Sequence, residues 1–280
     1  MKKQMRKPDW LKIKINSEHK GVSKLLRENK LVTVCEEASC PNRMECFSKK
    51  TATFMILGSV CTRNCRYCDV EAGVPGAVVD DSENIVKAID TLGLKYVVVT
   101  SVTRDDLSDG GASQFVKTIE KVKAKDCQIE VLIPDLENNY VALKSIVDAD
   151  PDVLNHNIEA TKNLFPIVRP KGDYEGSLEV LKKVKEINPK MTTKSGFMVG
   201  LGESFEDVLE TLRDLHDAGV DIVTIGQYLQ PAKENIEVAE YVTPEVFRDY
   251  AKYGLDLGFK NVYSGPFVRS SYNAEEVYKN

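Results

Sequence analysis

From residue 53 onward the chain alternates between two patterns. Short apolar or β-branched runs give way to longer stretches in which apolar residues recur every three or four positions. The runs occupy 53–60 (TFMILGSV), 95–101 (KYVVVTS), 128–134 (QIEVLIP), 152–158 (DVLNHNI), 192–200 (TTKSGFMVG) and 221–228 (DIVTIGQY). The second and sixth are almost continuously hydrophobic, the mark of parallel strands covered on both faces. The stretches between them carry helix signals. Ser82 stands as a cap before Ile85, Val86, Ile89 and Leu92, which share one helical face. Ser204 and Asp207 read as a capping box ahead of Val208, Leu209, Leu212 and Leu215, with Gly219 to stop the helix. Thr243-Pro244-Glu245 sets a cap, a first-turn proline and a first-turn acid in order. Six strand–helix units in succession predict an α/β fold with a parallel sheet, either a barrel or an open doubly wound sheet.

Residues 1–50 break the rhythm. They are polar and Lys-rich and hold three cysteines, so they read as an extension pinned by metal rather than by a core of its own, with Trp10 as its packing anchor. The expected division is 1–50 as this extension, 51–260 as the barrel and 261–280 as a C-terminal segment. Composition narrows the class without naming it. The 280 residues carry 38 basic and 43 acidic side chains, a net charge of −5, which excludes an overall polycation built for nucleic acid. With 29% charged and 42% hydrophobic residues the chain is globular rather than disordered. No apolar run approaches the roughly 18 residues of a membrane helix. The first fourteen residues lack the apolar core of a secretory signal. The expected location is the cytoplasm, without membrane or nucleic-acid partners.

Six of the seven cysteines, Cys35, Cys40, Cys46, Cys61, Cys65 and Cys68, crowd into one short stretch, and Cys127 stands apart as a bystander. In a reducing cytosol such clusters hold metal. Cys61-x3-Cys65-x2-Cys68 directly follows the first apolar run, on the strand end where βα barrels place active sites. Three thiolates suit a catalytic zinc with an open position, or half of a structural zinc knuckle completed by Cys35, Cys40 or Cys46. They equally suit a 4Fe–4S cluster with one iron left free for a small molecule. No histidine lies among the six, and two separate triplets do not make up a four-cysteine set; both features count against zinc.

The segment CTRNCRYC (61–68) is similar to the CxxxCxxC signature of the radical S-adenosylmethionine (SAM) superfamily, with aromatic Tyr67 just before the last cysteine. The earlier triplet, VCEEASCPNRMEC (34–46), resembles the auxiliary-cluster motif of the lipoyl synthase family. TATFMILGSVCTRNCRYCDV, VVVTSVTRDDLSDGGA, LNHNIEA, VRPKGDY, TKSGFMVGLGE, IGQYLQP and GPFVRSSY resemble segments of that family in the same order, so the likeness runs from about Asp9 to Tyr272. It implies a partial (β/α)6 TIM-like barrel whose mouth is closed by the C-terminal segment. It further implies a sulfurtransferase that inserts sulfur at C6 and C8 of an octanoyl chain on a lysine of a lipoyl carrier domain. The cofactors implied are SAM and two 4Fe–4S clusters, one held by Cys61, Cys65 and Cys68, the other by Cys35, Cys40, Cys46 and Ser271. The second cluster is the implied sulfur donor, which gives Ser271 a catalytic as well as a ligand role; Ser270 is assigned none. The partners implied are octanoylated E2 subunits of 2-oxoacid dehydrogenases and the glycine-cleavage H protein, an electron donor such as flavodoxin or ferredoxin, and iron–sulfur carrier proteins.

Given SAM, several polar residues at strand ends become candidates to bind it. Tyr67 is expected at the adenine. Thr100, Ser101, Asn155 and Glu159 are expected at the methionine amine or the ribose, and Arg169 or Lys194 at the carboxylate. Gly200-Leu201-Gly202-Glu203 reads as a close-approach turn beside SAM, with Gly202 in contact. The Arg104-Asp105-Asp106 run is either a structured loop over the site or a solvated charge run. His156 is expected as a hydrogen-bonded core residue and His216 at the surface. Lys49, Lys50 and Arg43 are candidates for carrier docking. Two other functions compete: sulfur insertion into a free small molecule such as a biotin precursor, and a non-enzymatic cluster carrier or zinc-stabilised binding module.

Overall fold

The structure is a computed structural model and describes residues 6–12, 26, 28, 31–48 and 52–279. Strand β1 (Val32–Thr33) pairs antiparallel with β2 (Thr53–Ile56). Then β3 (Tyr96–Ser101), β4 (Gln128–Leu132), β5 (Val153–Asn155), β6 (Thr192–Val199), β7 (Ile222–Gln227) and β8 (Asn261–Gly265) follow in sequence order, each parallel to the last. The six predicted runs all become parallel strands. The structure adds β8 as a seventh and β1 as an antiparallel edge. Neither has an apolar run to announce it: β1 has two residues, and in β8 only Val262 is buried. The run at 152–158 keeps three residues in its ladder before the backbone turns through Glu159 at φ 69°.

Short helices α1 (Val34–Glu37) and α2 (Arg43–Ser48) belong to the N-terminal extension. Around the sheet stand α3 (Ser82–Leu92), α4 (Ala112–Lys123), α5 (Tyr140–Asp148), α6 (Phe165–Val168), α7 (Tyr174–Ile187), α8 (Phe205–Asp217) and α9 (Pro244–Leu257). Alternation along each strand divides its side chains between two faces. Outward-facing Val97, Val99, Ile129, Val131 and Leu154 pack on Ile85, Ile89, Phe115, Ile119 and Leu143 of the helices. Phe197, Val199, Val223 and Ile225 meet Leu178, Leu181, Leu212, Leu215 and Phe247 further round. Each such buried side chain contributes about 1.5–3 kcal/mol, and this ring of contacts holds the curved sheet.

The inward face is different in kind. Tyr96 and Val98 of β3 pack against Ala274 and Tyr278 of α10 (Ala274–Lys279), with the two tyrosine rings 6.0 Å apart. The last helix thus packs against the inner face of the sheet, and Asn261 secures it by donating to the Val277 carbonyl at 3.0 Å. The capping box forms as read, Ser204 accepting from Asp207 N–H and Asp207 from Ser204 N–H. Ser82 is no cap: it opens α3 itself, and its N–H and hydroxyl both donate to Asp80 Oδ1. Trp10 is no anchor either, being 40% exposed, whereas its neighbour Leu11 is buried. Among the described residues no helix is long and apolar enough to cross a membrane.

Candidate active site

A cavity of about 560 Å³ opens where the parallel strands end. All six clustered cysteines line it. Cys35 sits on α1 directly after β1, Cys46 on α2 and Cys40 on the turn between them, while Cys61, Cys65 and Cys68 occupy the loop leaving β2. No disulfide joins any of the seven cysteines, and Cys127 lies elsewhere, buried, its thiol pushed up to about 11 by that burial. Among the described residues no three His, Cys, Asp or Glu groups converge where a single metal ion would sit.

The Cys61–Cys68 loop is braced by a residue the sequence analysis passed over. Arg63, buried between the first two cysteines, donates to Asp105 through Nε at 3.0 Å and Nη2 at 2.8 Å, and to Asp135 through Nη1 and, at 2.7 Å, through Nη2. Burial alone would raise the Asp135 carboxyl, but the Arg63 hydrogen bonds and charge outweigh it and hold the group at about 2. Backbone N–H groups of Arg63 and Thr103 point at Cys61 Sγ, 3.4 and 3.3 Å away. The Arg104-Asp105-Asp106 run is the structured loop, not a solvated one: Arg104 is buried and donates to the Leu57 and Gly76 carbonyls.

The other triplet meets the far end of the chain. Asn42 donates to the Phe267 carbonyl at 2.6 Å, and the Tyr272 hydroxyl donates to Glu45 at 2.9 Å. Residues 31–48 and 267–272 therefore face each other across the cavity mouth, with Arg269, Ser270 and Ser271 in its wall. β7 allows this approach at Gly226, where a Cβ would collide with the Val268 carbonyl oxygen. Ser39 donates to Asp69 at 2.5 Å and so ties the first triplet's loop to the second's.

Of the expected SAM contacts, Tyr67, Thr100, Ser101, Glu159 and Arg169 line this cavity. Burial raises the Glu159 carboxyl above its usual range. Thr100 donates to the Leu132 carbonyl, and Arg169 is paired with Asp135 at 3.5 Å. Ser101 Oγ and His156 Nε2 are buried with no hydrogen-bond partner among the described residues. His156 does hydrogen-bond within the core, Nδ1 to the Ile133 carbonyl at 2.9 Å, but its ring also faces the cavity. Three expected contacts lie elsewhere. Lys194 is buried in an ion pair with Glu130 at 3.0 Å, so its charge is already neutralised away from any carboxylate in the cavity. Asn155 bonds to Glu130 and Ser270 behind the wall. Gly202 stands off the cavity, and the N–H groups of Gly200 and Leu201 are taken by the Glu203 carboxylate. Asp135 and Asn157 also went unread; their signal was position, each just past the end of a strand.

The donor set fits iron–sulfur chemistry. Burial pushes the Cys35 and Cys68 thiols up to about 12 and raises Cys65, so thiolates here need the positive charge of bound iron beside them. The radical SAM superfamily model matches residues 55–215. A lipoyl synthase of Caldicellulosiruptor saccharolyticus is 54% identical over 281 residues, covering 99% of this chain and 99% of that one. The chain belongs to the lipoyl synthase family. A second lipoyl synthase, from Caldanaerobacter subterraneus subsp. tengcongensis, is 54% identical over 274 residues, 97% of this chain and 96% of that one. Like the lipoyl synthases it resembles, the chain is a radical SAM sulfurtransferase whose cofactors are 4Fe–4S clusters and SAM. The barrel is similar to that of a FeFe-hydrogenase maturase (TM-score 0.59, 14% identity, 94% of this chain and 60% of that one). It is likewise similar to methylornithine synthase (TM-score 0.56, 16% identity, 89% of this chain and 79% of that one), a likeness of fold alone.

Proposed function

We propose that the chain inserts sulfur at C6 and C8 of an octanoyl group amide-linked to a lysine of a lipoyl carrier domain. Cys61, Cys65 and Cys68 would hold the SAM cluster; Cys35, Cys40, Cys46 and Ser271 would hold the auxiliary one. The bound cofactors supply a primary carbon radical, able to take hydrogen from carbons no base can deprotonate, and the sulfur itself. The observation carrying this reading is that one cavity brings both triplets and Ser271 together. The protein's share is placement. Met55, Val102, Ile133, Phe197 and Met198 form an apolar wall that keeps water from an alkyl chain. Tyr67 and Glu159 offer polar contacts on one side, and Arg169, though paired with Asp135 at 3.5 Å, lines the cavity and would add its charge for a carboxylate. Ser271 is suited to a releasable ligand, since its oxygen is harder than thiolate and no described residue hydrogen-bonds it.

Residues 51–260 would then carry the SAM chemistry, while 1–50 and 261–280 complete the auxiliary site. Carrier domains of dehydrogenase E2 subunits and of the glycine-cleavage H protein are the fitting substrates, a flavodoxin- or ferredoxin-type protein the electron donor, and iron–sulfur carriers the cluster source. The thiol-rich site suits the reducing cytoplasm. Arg43, exposed on α2 beside the mouth, is the docking candidate that the structure describes; Lys49 and Lys50 lie outside the described residues. The test is anaerobic incubation of an octanoylated carrier domain with SAM and reductant. Mass analysis should show the carrier gaining two sulfur atoms, and free octanoate gaining none. SAM cleavage with no sulfur on the carrier would reject the reading.

A further inference from the structure

From behind the cavity wall into the wall itself runs a chain of polar groups whose middle members, Asn155, Ser270 and Asn157, have no part in the reading above. Glu130 of β4 and Lys194 of β6 pair through both carboxylate oxygens at 3.0 Å. The Tyr96 hydroxyl donates to Glu130 Oε2 at 2.9 Å, and Asn155 Nδ2 donates to Oε1 at 2.8 Å. The same Asn155 nitrogen donates to Ser270 Oγ at 2.7 Å. Ser270 Oγ in turn donates to Asn157 Oδ1 at 3.0 Å, and Asn157 Nδ2 to Glu159 Oε1 at 3.1 Å. Glu159 lines the cavity together with Tyr67, which stands between Cys65 and Cys68 in the sequence.

The chain has a fixed polarity. A carboxylate only accepts, so Glu130 at one end turns the nitrogen of Asn155 inward and Glu159 at the other does the same to Asn157. Asn155 spends both N–H groups, on Glu130 and on Ser270, and its Oδ1 is left with no partner among the described residues. The Ser270 hydroxyl, receiving an N–H from one asparagine and facing the oxygen of the other, has a single orientation. The next hydroxyl along, that of Ser271, has no such tether.

We infer that Ser270 is a positioning residue: held between Asn155 and Asn157, it sets the backbone so that the Ser271 hydroxyl faces the auxiliary cluster, and it links that serine to the Glu159–Tyr67 side of the cavity. The inference rests on the reading of Ser271 as a ligand of that cluster. It gives a part in the site to Ser270, to which the likeness in sequence assigned none.

The experiment compares Ser270→Ala, Ser270→Thr, Ser270→Val and Ser271→Ala in the anaerobically cluster-loaded full chain. The readouts are the Mössbauer signature of the serine-ligated iron, the rate of auxiliary iron loss to a chelator, and lipoyl product per 5′-deoxyadenosine. Ser270→Ala and Ser270→Val should keep the SAM-cluster signature, alter the auxiliary one and speed chelation about tenfold, the worth of a lost buried hydrogen bond. Product per 5′-deoxyadenosine should fall with them. Ser270→Thr, which keeps the hydroxyl, should restore all three. If Ser270→Ala does not fold, Thr and Val decide, since they differ in little but the hydroxyl; equal behaviour of the two overturns the inference. An altered auxiliary signature in Ser271→Ala but none in the hydroxyl-free Ser270 variants rejects the positioning role alone. An unaltered signature in Ser271→Ala rejects the ligand reading, and this inference falls with it.

Discussion

Cys40 and Cys65 line one cavity from different elements, the turn between α1 and α2 and the loop after β2. Single substitutions should therefore separate their chemistry. Cys65→Ala should abolish SAM cleavage, whereas Cys40→Ala should still form 5′-deoxyadenosine on an octanoyl substrate and yield no lipoyl product. Near-normal lipoyl yield from Cys40→Ala, by mass analysis, would sink the sulfur-donor assignment. The buried pair of Lys194 and Glu130 gives a stability prediction of the same kind. Lys194→Met strands a carboxylate that only Tyr96 and Asn155 still meet, and should cost about 3–5 kcal/mol in urea unfolding. Adding Glu130→Gln should recover much of that loss; a double variant no more stable than the single would show that the stranded charge is not its source. The cysteines were legible because their chemistry is written in spacing. Lys194 was expected at a ligand because a lysine in a strand looks the same in sequence whether it faces a ligand or a buried glutamate on another strand.

Among the elements, α8 tests how far local signals act alone. Its capping box is local and exposed, so Ser204→Ala should cost about 1 kcal/mol and leave product formation unchanged, measured by urea midpoint and carrier assay. Gly226 in β7 is a tertiary matter. A side chain there would push against the Val268 carbonyl and displace the segment bearing Ser271. Gly226→Ala should thus lose the auxiliary cluster first, with the SAM cluster retained. Iron counts showing both clusters intact would mean that residues 266–272 do not depend on this approach. The helices with apolar faces were readable before folding, as were the strands with continuous apolar runs. β8 was not, because an edge strand that buries one side chain leaves no pattern.

For the whole molecule, two buried groups set the same acid limb. Burial, with the Arg169 charge, pushes His156 down to about 4 from an ordinary value of 6.5, so it is neutral when folded. Asp135 is held at about 2 against an ordinary 3.8. In both cases the unfolded chain binds protons more readily than the folded one, so stability rises with pH. Their contributions are complete above pH 6.5. That of His156 should fade as pH drops from 6.5 towards 4, and that of Asp135 from 3.8 towards 2. Urea unfolding of the cluster-free chain across this range should show a plateau near neutrality and a steady fall below it. A gain in stability on acidification between pH 6.5 and 4 would contradict the placement of His156.

Spacing along the chain was enough to announce two cysteine triplets, six βα units, a capping box and a likeness to one family, because each depends on residues close together in sequence or on a motif read in order. Only the folded chain decided that Asn42 meets Phe267, that Tyr272 meets Glu45, and that Ser270 stands between Asn155 and Asn157. It also decided that Lys194 is spent on Glu130 and that Arg63 braces its loop through two aspartates from other strand ends. Those contacts join residues from 42 to 227 positions apart. No periodicity or local propensity encodes a partner at that distance; assembly of the sheet chooses it, by packing hydrophobic faces outward and leaving the polar groups of the inner face to find each other.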